Sequence, residues 1–183
     1  MVRKHVVTSG GRVLLLEEMT KDQARDIARE FYREVGGANF FQRLCSAFYQ
    51  LATADPVLAP MFPGKAEDHA RRLADHFNRM YGTPDLSEGW DQRFLASHLH
   101  VVIGNQHRRR WLTLMRAAGE EINAPDPWFS DFMTTMTNGS GAITAASRGA
   151  AIARGLDLDR EGTVIGQRRT SAAPATSDEE NLQ

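Results

Sequence analysis

Histidines are the residues of this sequence whose type and spacing could most clearly do chemistry. His98 lies in the largely apolar run 94–103, and His100 follows two residues later. An imidazole that projects from an apolar pocket can serve as the fixed axial ligand of a haem iron. A buried core histidine with a satisfied hydrogen bond is the alternative, and for a single histidine it is the commoner case. The residues that other helices place opposite His98 therefore decide whether it is a haem ligand or a core histidine.

Two more histidines lie on the apolar face of a predicted helix that spans about residues 66–81 and ends at Gly82 and Pro84. That face is formed by His69, Leu73, His76, Phe77 and Met80. Burying an unpaired imidazole costs free energy, so each of these histidines should have a hydrogen-bond partner. For His76, a place at the edge of the face in contact with water is equally open.

Two helices that precede this one are predicted from apolar residues recurring at helical spacing. The first begins at a capping box that starts at Thr20, and it ends at Gly36. The second covers about residues 41–52 and carries Tyr49 on an otherwise apolar face. Tyr49 is either a donor in a pocket or a packed ring whose hydroxyl reaches the surface.

Two helices follow His98. One begins near Asn105, a good N-cap residue, and carries Trp111. The next has Asp126 as N-cap and Pro127 at its first position, and its pattern weakens over residues 138–141. Alternating strand patterns are few outside the N-terminus, so the sequence predicts an all-α fold.

The segment 55–64 contains three prolines and cannot hold a long helix. It predicts a tight apolar corner that directs Phe62 either into the core or against something flat. Three regions are expected along the chain: an N-terminal extension over 1–19, a helical domain over 20–153 and a tail over 154–183. The extension either pairs as a small hairpin or lies loosely, and the polar composition of the tail predicts disorder.

Composition excludes several classes of protein. The chain has 183 residues, 42% of them hydrophobic, which suits one domain with a sizeable core. A formal charge of −1 gives no overall field for nucleic acid or membranes, and the basic cluster 107–110 is interpreted as a solvated face. The single cysteine, Cys45, excludes an internal disulfide. With no signal peptide or membrane span evident, a soluble cytoplasmic protein is expected.

Taken together, these segments resemble the truncated haemoglobins, most closely their group II. The resemblance covers roughly residues 30 to 140. It is carried by residues 35–41, Phe48-Tyr49, the Asp-Pro-Val-Leu corner at 55–63, residues 81–84, His98 with Ile103-Gly104 behind it, residues 110–112 with Met115, and residues 131–133.

The resemblance implies a two-over-two helical sandwich that holds haem b, with His98 as the proximal iron ligand. Tyr49 and Trp111 would be distal hydrogen-bond donors, and Phe62 would stack on the porphyrin. His69 would face the bound ligand, with Leu73 one turn further on. The other residues expected to line the haem or its ligand pocket are His76, Phe77, Phe94 and Ile103.

Three features depart from the family pattern. Ser97 precedes His98 where group II members usually carry an arginine that holds a haem propionate, so Arg93, Arg71 or Arg72 would have to replace it. His69 occupies a position that is often small in group II, and it could bind the iron as a sixth ligand. His100 is a rival proximal ligand, although the spacing of His98 from Ile103-Gly104 and Trp111 matches the family better.

Several functions remain open at this stage. The leading hypothesis is a haem protein that binds O2, and with it NO or CO, with nitric oxide dioxygenase or peroxidase-like turnover if a separate reductase supplies electrons. The chain has no Gly-rich nucleotide-binding segment of its own. A haem-based sensor, a haem-free helical module and a zinc hydrolase using His98, His100 and His107 are the alternatives, and the last lacks a carboxylate at ligand spacing.

Overall fold

The computed structural model describes residues 6–9, 12–15, 20–82 and 92–167 of the chain. Within that part the helices are α1 (Lys21–Glu34), α2 (Gly37–Ala54), α3 (Ala66–Phe77), α4 (Gln92–His98), α5 (Asn105–Glu121) and α6 (Trp128–Ala153). Two antiparallel hairpins flank them, β1 (Val6–Ser9) with β2 (Arg12–Leu15) and β3 (Leu156–Leu158) with β4 (Val164–Gln167). The all-α prediction is confirmed, and the N-terminal segment adopts the paired alternative.

The helices form two pairs that pack on one another. α2 packs against α3 and against α5, and α5 packs in turn against α6. This is the expected two-over-two arrangement, with the pair α2–α3 on one side and the pair α5–α6 on the other. An aromatic core fills the space between them, and Phe41 of α2, which is fully buried, lies 5.5 Å from the ring of Phe77 and 6.1 Å from that of Phe132. Burying each such ring stabilises the fold by about 1.5–3 kcal/mol.

α1 begins and ends as the sequence predicts. The hydroxyl of Thr20 accepts a hydrogen bond from the Gln23 amide at 3.2 Å, and the Gln23 side chain accepts one from the Thr20 amide at 2.8 Å. This reciprocal pair is a capping box. Gly36 and Gly37 then adopt φ values of 97° and 59°, which side chains with a Cβ rarely tolerate, and α2 starts directly after α1.

α3 ends earlier than predicted. The regular helix stops at Phe77, and a π-helical turn over Asn78–Gly82 replaces its last turn. The wider turn brings Gly82 against the ring of Tyr32, where a Cβ would lie only 2.9 Å from the ring. Thr83 and Pro84, which complete the predicted end of this helix, lie outside the described residues.

The proline-rich corner between α2 and α3 is compact, as expected. Its only regular structure is a short 3-10 turn over Ala59–Met61. Asp55 holds the start of the corner because one carboxylate oxygen accepts hydrogen bonds from the amides of Val57 at 3.0 Å and Leu58 at 3.1 Å. The corner delivers Phe62 to the start of α3.

Helix boundaries near α5 and α6 differ slightly from prediction. α5 begins at Asn105 itself, with Gly104 at the cap position, where its amide donates to His107 Nδ1 at 3.0 Å. α6 begins at Trp128 with Pro127 at the cap. Asp126 is therefore not the N-cap, and its carboxylate accepts a hydrogen bond from the hydroxyl of Ser130 at 2.9 Å.

The C-terminal region fixes the extent of α6 and corrects one expectation. α6 continues to Ala153 without interruption, past the glycines at 139 and 141. The predicted disorder from residue 154 onward is wrong for residues 156–167, which form the β3–β4 hairpin. The polar composition of this segment did not reveal its contacts with the rest of the fold. The hairpin packs on the start of α5, where the Asn105 amide donates a hydrogen bond to Glu161 O at 2.7 Å. Residues 168–183 of the predicted tail lie outside the described residues.

Candidate functional site

His98 is the last residue of α4, and the hydrogen bond at one of its ring nitrogens defines its chemistry. The ring is half-buried, and Nδ1 lies 2.6 Å from the carbonyl oxygen of Phe94, one helical turn earlier. Since a carbonyl only accepts hydrogen bonds, Nδ1 carries the proton. The lone pair is then on Nε2, and this is the tautomer with which a histidine binds a metal through Nε2.

Phe94 lies next to His98, and His76 lies next to Phe94. The ring of Phe94 is centred 4.6 Å from the imidazole. The ring of His76, on α3, stacks on the ring of Phe94. The two ring centres are 3.8 Å apart, and the interplanar angle is 4°. His76 is therefore half-buried against an aromatic ring and does not stand free in water. The rival ligand His100 is exposed in the turn that follows α4.

A second cluster brings together the residues that were expected on the distal side. The rings of Tyr49 and Phe62 are 5.1 Å apart, and His69 lies 5.6 Å from each of them. α2, the corner and α3 contribute one side chain each. Tyr49 is 7% exposed, and burial raises the pKa of its phenol, so the hydroxyl remains a protonated donor near neutral pH.

Trp111 joins this cluster through Phe48. The ring of Phe48 lies 5.0 Å from Tyr49 and 5.2 Å from Trp111, and it is fully buried. In the sequence, Phe48 was named only in the Phe48-Tyr49 match to the family, and it was given no part in the site. The signal that could have identified Phe48 was its position directly before Tyr49. Side chains of adjacent helical residues point about 100° apart, so Phe48 can contact Tyr49 on one side and a residue of another helix on the other.

Both ring nitrogens of His69 are engaged. Nε2 lies 2.7 Å from the carbonyl oxygen of Pro63, so it carries the proton and donates. Nδ1 lies 3.0 Å from a guanidinium nitrogen of Arg72 and accepts from it. Together these two bonds fix both the tautomer and the orientation of the ring.

The remaining predicted residues are spread around these two clusters. Leu73 is buried one turn after His69, and Ile103 is half-buried with its amide bonded to Ser147. Phe77 lies in the aromatic core, 5.2 Å from Phe132. Arg71 pairs with Asp68 at 3.3 Å on the exposed face of α3. The side chain of Arg93, although its backbone is in α4, lies outside the described part of the structure.

The arginines of the basic cluster at the start of α5 make contacts within the protein. Arg108 donates to the Thr137 carbonyl at 2.8 Å, Arg109 pairs with Glu161 at 2.9 Å and Arg110 with Asp55 at 2.5 Å. The prediction of a merely solvated face is therefore incomplete, because these arginines connect α5 to α6, to the β3–β4 hairpin and to the proline-rich corner.

The family model for bacterial-like globins matches residues 30–145, which is more than half of the chain. The match contains α2 to α5, the corner and most of α6, so it includes both clusters. The chain belongs to the bacterial-like globin family. The resemblance found in the sequence is thereby confirmed, and this globin binds haem as its family does.

Individual relatives agree with that assignment. The globin is 28% identical to the group 2 truncated hemoglobin YjbI of Bacillus subtilis (strain 168) over 91 residues, which are 49% of this chain and 69% of that one. The thermostable hemoglobin of Thermobifida fusca is 32% identical with a TM-score of 0.55, and the match covers 62% of this chain and 95% of that one. The group II truncated hemoglobin of Bacillus anthracis, at 21% identity and a TM-score of 0.56 over 62% and 94%, shares the fold.

The donor set of the globin fits a haem. His98 offers the lone pair of Nε2, and the Tyr49–Phe62–His69 cluster supplies flat and hydrogen-bonding side chains from α2, the corner and α3. Among the described residues, no three His, Cys, Asp or Glu side chains are grouped so that they could hold a bare metal ion. The zinc alternative built on His98, His100 and His107 therefore gains no support. None of the described helices is long and apolar enough to span a membrane.

Proposed function

We propose that this globin reversibly binds O2, and also NO and CO, at the iron of haem b, with His98 as the proximal ligand. The observation that carries the proposal is the 2.6 Å hydrogen bond from His98 Nδ1 to the Phe94 carbonyl, because it directs the Nε2 lone pair to a metal. When bound, the haem supplies the iron on which a diatomic gas binds. The family match supports the haem, and the residue roles are inferred from the contacts described above.

The distal donors would be Tyr49 and Trp111. A phenol O–H and an indole N–H can each donate to a bound gas that carries partial negative charge. Burial of Tyr49 keeps water from competing, and each such bond contributes about 1 kcal/mol. The contacts of Phe48 with both rings hold the two donors in one pocket.

His69 is proposed to shape the distal pocket without binding the iron. Its Nε2–H is used by Pro63 and its Nδ1 by Arg72, so either nitrogen would have to give up a hydrogen bond to act as a sixth ligand. Arg72 is the better candidate to hold a haem propionate, because the charge of Arg71 is paired with the carboxylate of Asp68, whereas the bond from Arg72 to His69 Nδ1 uses one N–H donor of its guanidinium. Phe62, His76, Phe94, Leu73, Phe77 and Ile103 are proposed to provide the apolar contacts of the haem.

Replacing His98 with glycine tests the proximal assignment. We expect the purified wild type, with haemin added, to show a Soret band, and the His98→Gly variant to bind haemin weakly and to regain a ligated spectrum when imidazole is added. His100→Gly is the matched control, because it removes the rival imidazole two residues away, and its spectrum should equal that of the wild type. If instead His100→Gly loses the band and His98→Gly keeps it, the assignment is wrong.

The coordination of the resting iron can be read from the spectra of a His69→Ala variant. Since both nitrogens of His69 already have partners, we expect the ferric and ferrous spectra of wild type and variant to show the same spin state. Low-spin bands in the wild type that become high-spin in His69→Ala would instead identify His69 as a sixth ligand.

Whether the globin also turns over NO depends on electrons from outside the chain. Rapid consumption of NO by the oxygenated protein, sustained when a reductase is added, would indicate nitric oxide dioxygenase activity. Inert binding of the same gases would favour the sensor alternative.

A further inference from the structure

Several hydrogen bonds to the loop that follows His98 come from a part of the chain that lies beyond the family match. α4 is only seven residues long and ends at His98, and residues 99–104 then lead to α5. A helix of two turns is too short to fix its own last residue. The backbone on the C-terminal side of His98 therefore depends on what holds this loop.

Ser147 of α6 bridges the middle of the loop. Its side chain is fully buried, its hydroxyl donates to the Val101 carbonyl at 2.7 Å, and the same oxygen accepts from the Ile103 amide at 2.8 Å. One hydroxyl thus satisfies an acceptor and a donor of the loop at once. Ser147 lies just after the last residue of the family match, which ends at 145.

Arg154 and the β3–β4 hairpin hold the two ends of the loop. The guanidinium of Arg154, at the end of α6, donates to the carbonyl of Leu99, the residue directly after His98. At the other end, the Asn105 amide donates to Glu161 O at 2.7 Å. Gly104 packs so closely on the hairpin that a Cβ there would lie 2.7 Å from the same oxygen.

Further contacts keep the hairpin itself in place. Glu161 pairs with Arg109 of α5 at 2.9 Å, and Arg148 of α6 donates to the Asp159 carbonyl at 3.3 Å. The segment 147–162 comprises the end of α6 and the hairpin as far as Gly162, and it is bonded to the first turns of α5 through Glu161.

We propose that the segment 147–162 positions the proximal histidine of this globin, with Ser147 and Arg154 as positioning residues that act through the loop 99–104. This inference rests on the proposed role of His98 as iron ligand. Loss of either residue frees the backbone that follows His98, so the imidazole samples several orientations and holds the haem less tightly.

The full-length Ser147→Ala variant tests the proposal. Its matched control is Thr144→Val, which removes a buried hydroxyl that donates only within α6, to Ser140 O at 2.8 Å. Without haem, we expect hydrogen exchange at the Ile103 amide to accelerate about tenfold in Ser147→Ala and not in the control. With haem, we expect the iron–histidine stretching band of the ferrous form to shift or broaden, and transfer of haem to apomyoglobin to accelerate about tenfold.

Arg154 provides an independent test, because its side chain is exposed and its loss should leave folding intact. Arg154→Ala should alter the iron–histidine band and accelerate haem loss, and Arg154→Lys, which keeps a donor for Leu99 O, should restore both. The proposal is overturned if both alanine variants match the wild type, or if Thr144→Val changes the band as much as Ser147→Ala does. A wild type that shows no iron–histidine band would instead contradict the proposed function, and this inference with it.

Discussion

A histidine can bind a metal through either ring nitrogen, and the hydrogen bond at the other nitrogen decides which one. In this globin the Phe94 carbonyl accepts a hydrogen bond from Nδ1–H of His98, and the Pro63 carbonyl accepts one from Nε2–H of His69. The two imidazoles are thus opposite tautomers. His98 keeps a free lone pair, whereas the lone pair of His69 is directed to Arg72.

The hydroxyl of Tyr49 is predicted to slow the dissociation of O2. Replacing it with phenylalanine removes one donor to the bound gas and keeps the ring contacts with Phe48 and Phe62. We expect the rate of O2 dissociation to rise about tenfold, which corresponds to about 1.4 kcal/mol, measured by stopped-flow displacement with CO. Tyr32→Phe, on α1 and in contact with Gly37 and Gly82, is the control and should leave the rate unchanged. An unaltered rate in Tyr49→Phe would remove this residue from the pocket.

At the scale of the element, α5 and α6 approach closely because small residues face large ones. Gly119 of α5 lies directly under Phe129 of α6, where a Cβ would come within 2.0 Å of the ring. Further along the same pair, Arg108 reaches over Gly141 to donate to the hydroxyl of Ser140 at 3.1 Å. The small residues of both helices therefore set the distance between them.

A matched pair of glycines tests this packing. Alanine favours a helix over glycine by about 0.5–1 kcal/mol, but overpacking a core costs about 1–3 kcal/mol. At Gly119 the clash should outweigh the gain, so Gly119→Ala should lower the free energy of unfolding by about 1 kcal/mol or more. At Gly149, which is exposed in α6 with nothing within 4 Å of a Cβ, the same change should raise it by about 0.5–1 kcal/mol. Urea denaturation measures both, and equal signs would contradict the argument.

At the scale of the whole molecule, an ion pair connects the proline-rich corner to α5. Asp55 begins the corner that delivers Phe62, and Arg110 directly precedes Trp111 on α5. The side chain of Asp55 is 2% exposed and lies 2.5 Å from the guanidinium of Arg110. Burial alone would raise the pKa of Asp55, but the hydrogen bonds from Arg110 and from the amides of Leu58 and Val57 outweigh it and lower the pKa below its usual value.

This lowered pKa predicts how stability depends on pH. An unfolded aspartate has a pKa of about 3.9, so the stabilisation is complete above that pH and is lost as the pH falls through the lower folded pKa. The difference in free energy of unfolding between wild type and Asp55→Asn should be constant from about pH 7 to about pH 5 and shrink below about pH 4. Asp68→Asn, which breaks an exposed Asp–Arg pair on α3, is the control and should change stability little at any pH. A difference that grows on acidification would contradict the assignment.

Much of the fold could be predicted because it depends on local patterns. Apolar spacing, the capping box at Thr20 and the prolines of the corner predicted α1, α2 and the break before α3, and the structure confirms them. The same rules predicted α6 but left its extent open, since asparagine, glycine and serine at 138–141 lower helix propensity locally. Packing against α5, where Arg108 bonds to Ser140 and Thr137, stabilises the helix there.

The sequence by itself determined the residue types and the order of the helices, and its resemblance to the group II truncated haemoglobins implied that His98, Tyr49, Phe62, His69 and Trp111 serve a haem. Only the tertiary structure decided how they are used. Contacts between different segments determine the hydrogen-bond partners of His69 and the position of Phe48 between Tyr49 and Trp111. They also determine the hydrogen bonds from Ser147 and Arg154 to the loop after His98. Hydrogen bonds form over about 3 Å, and no local pattern along a chain specifies which distant groups come that close.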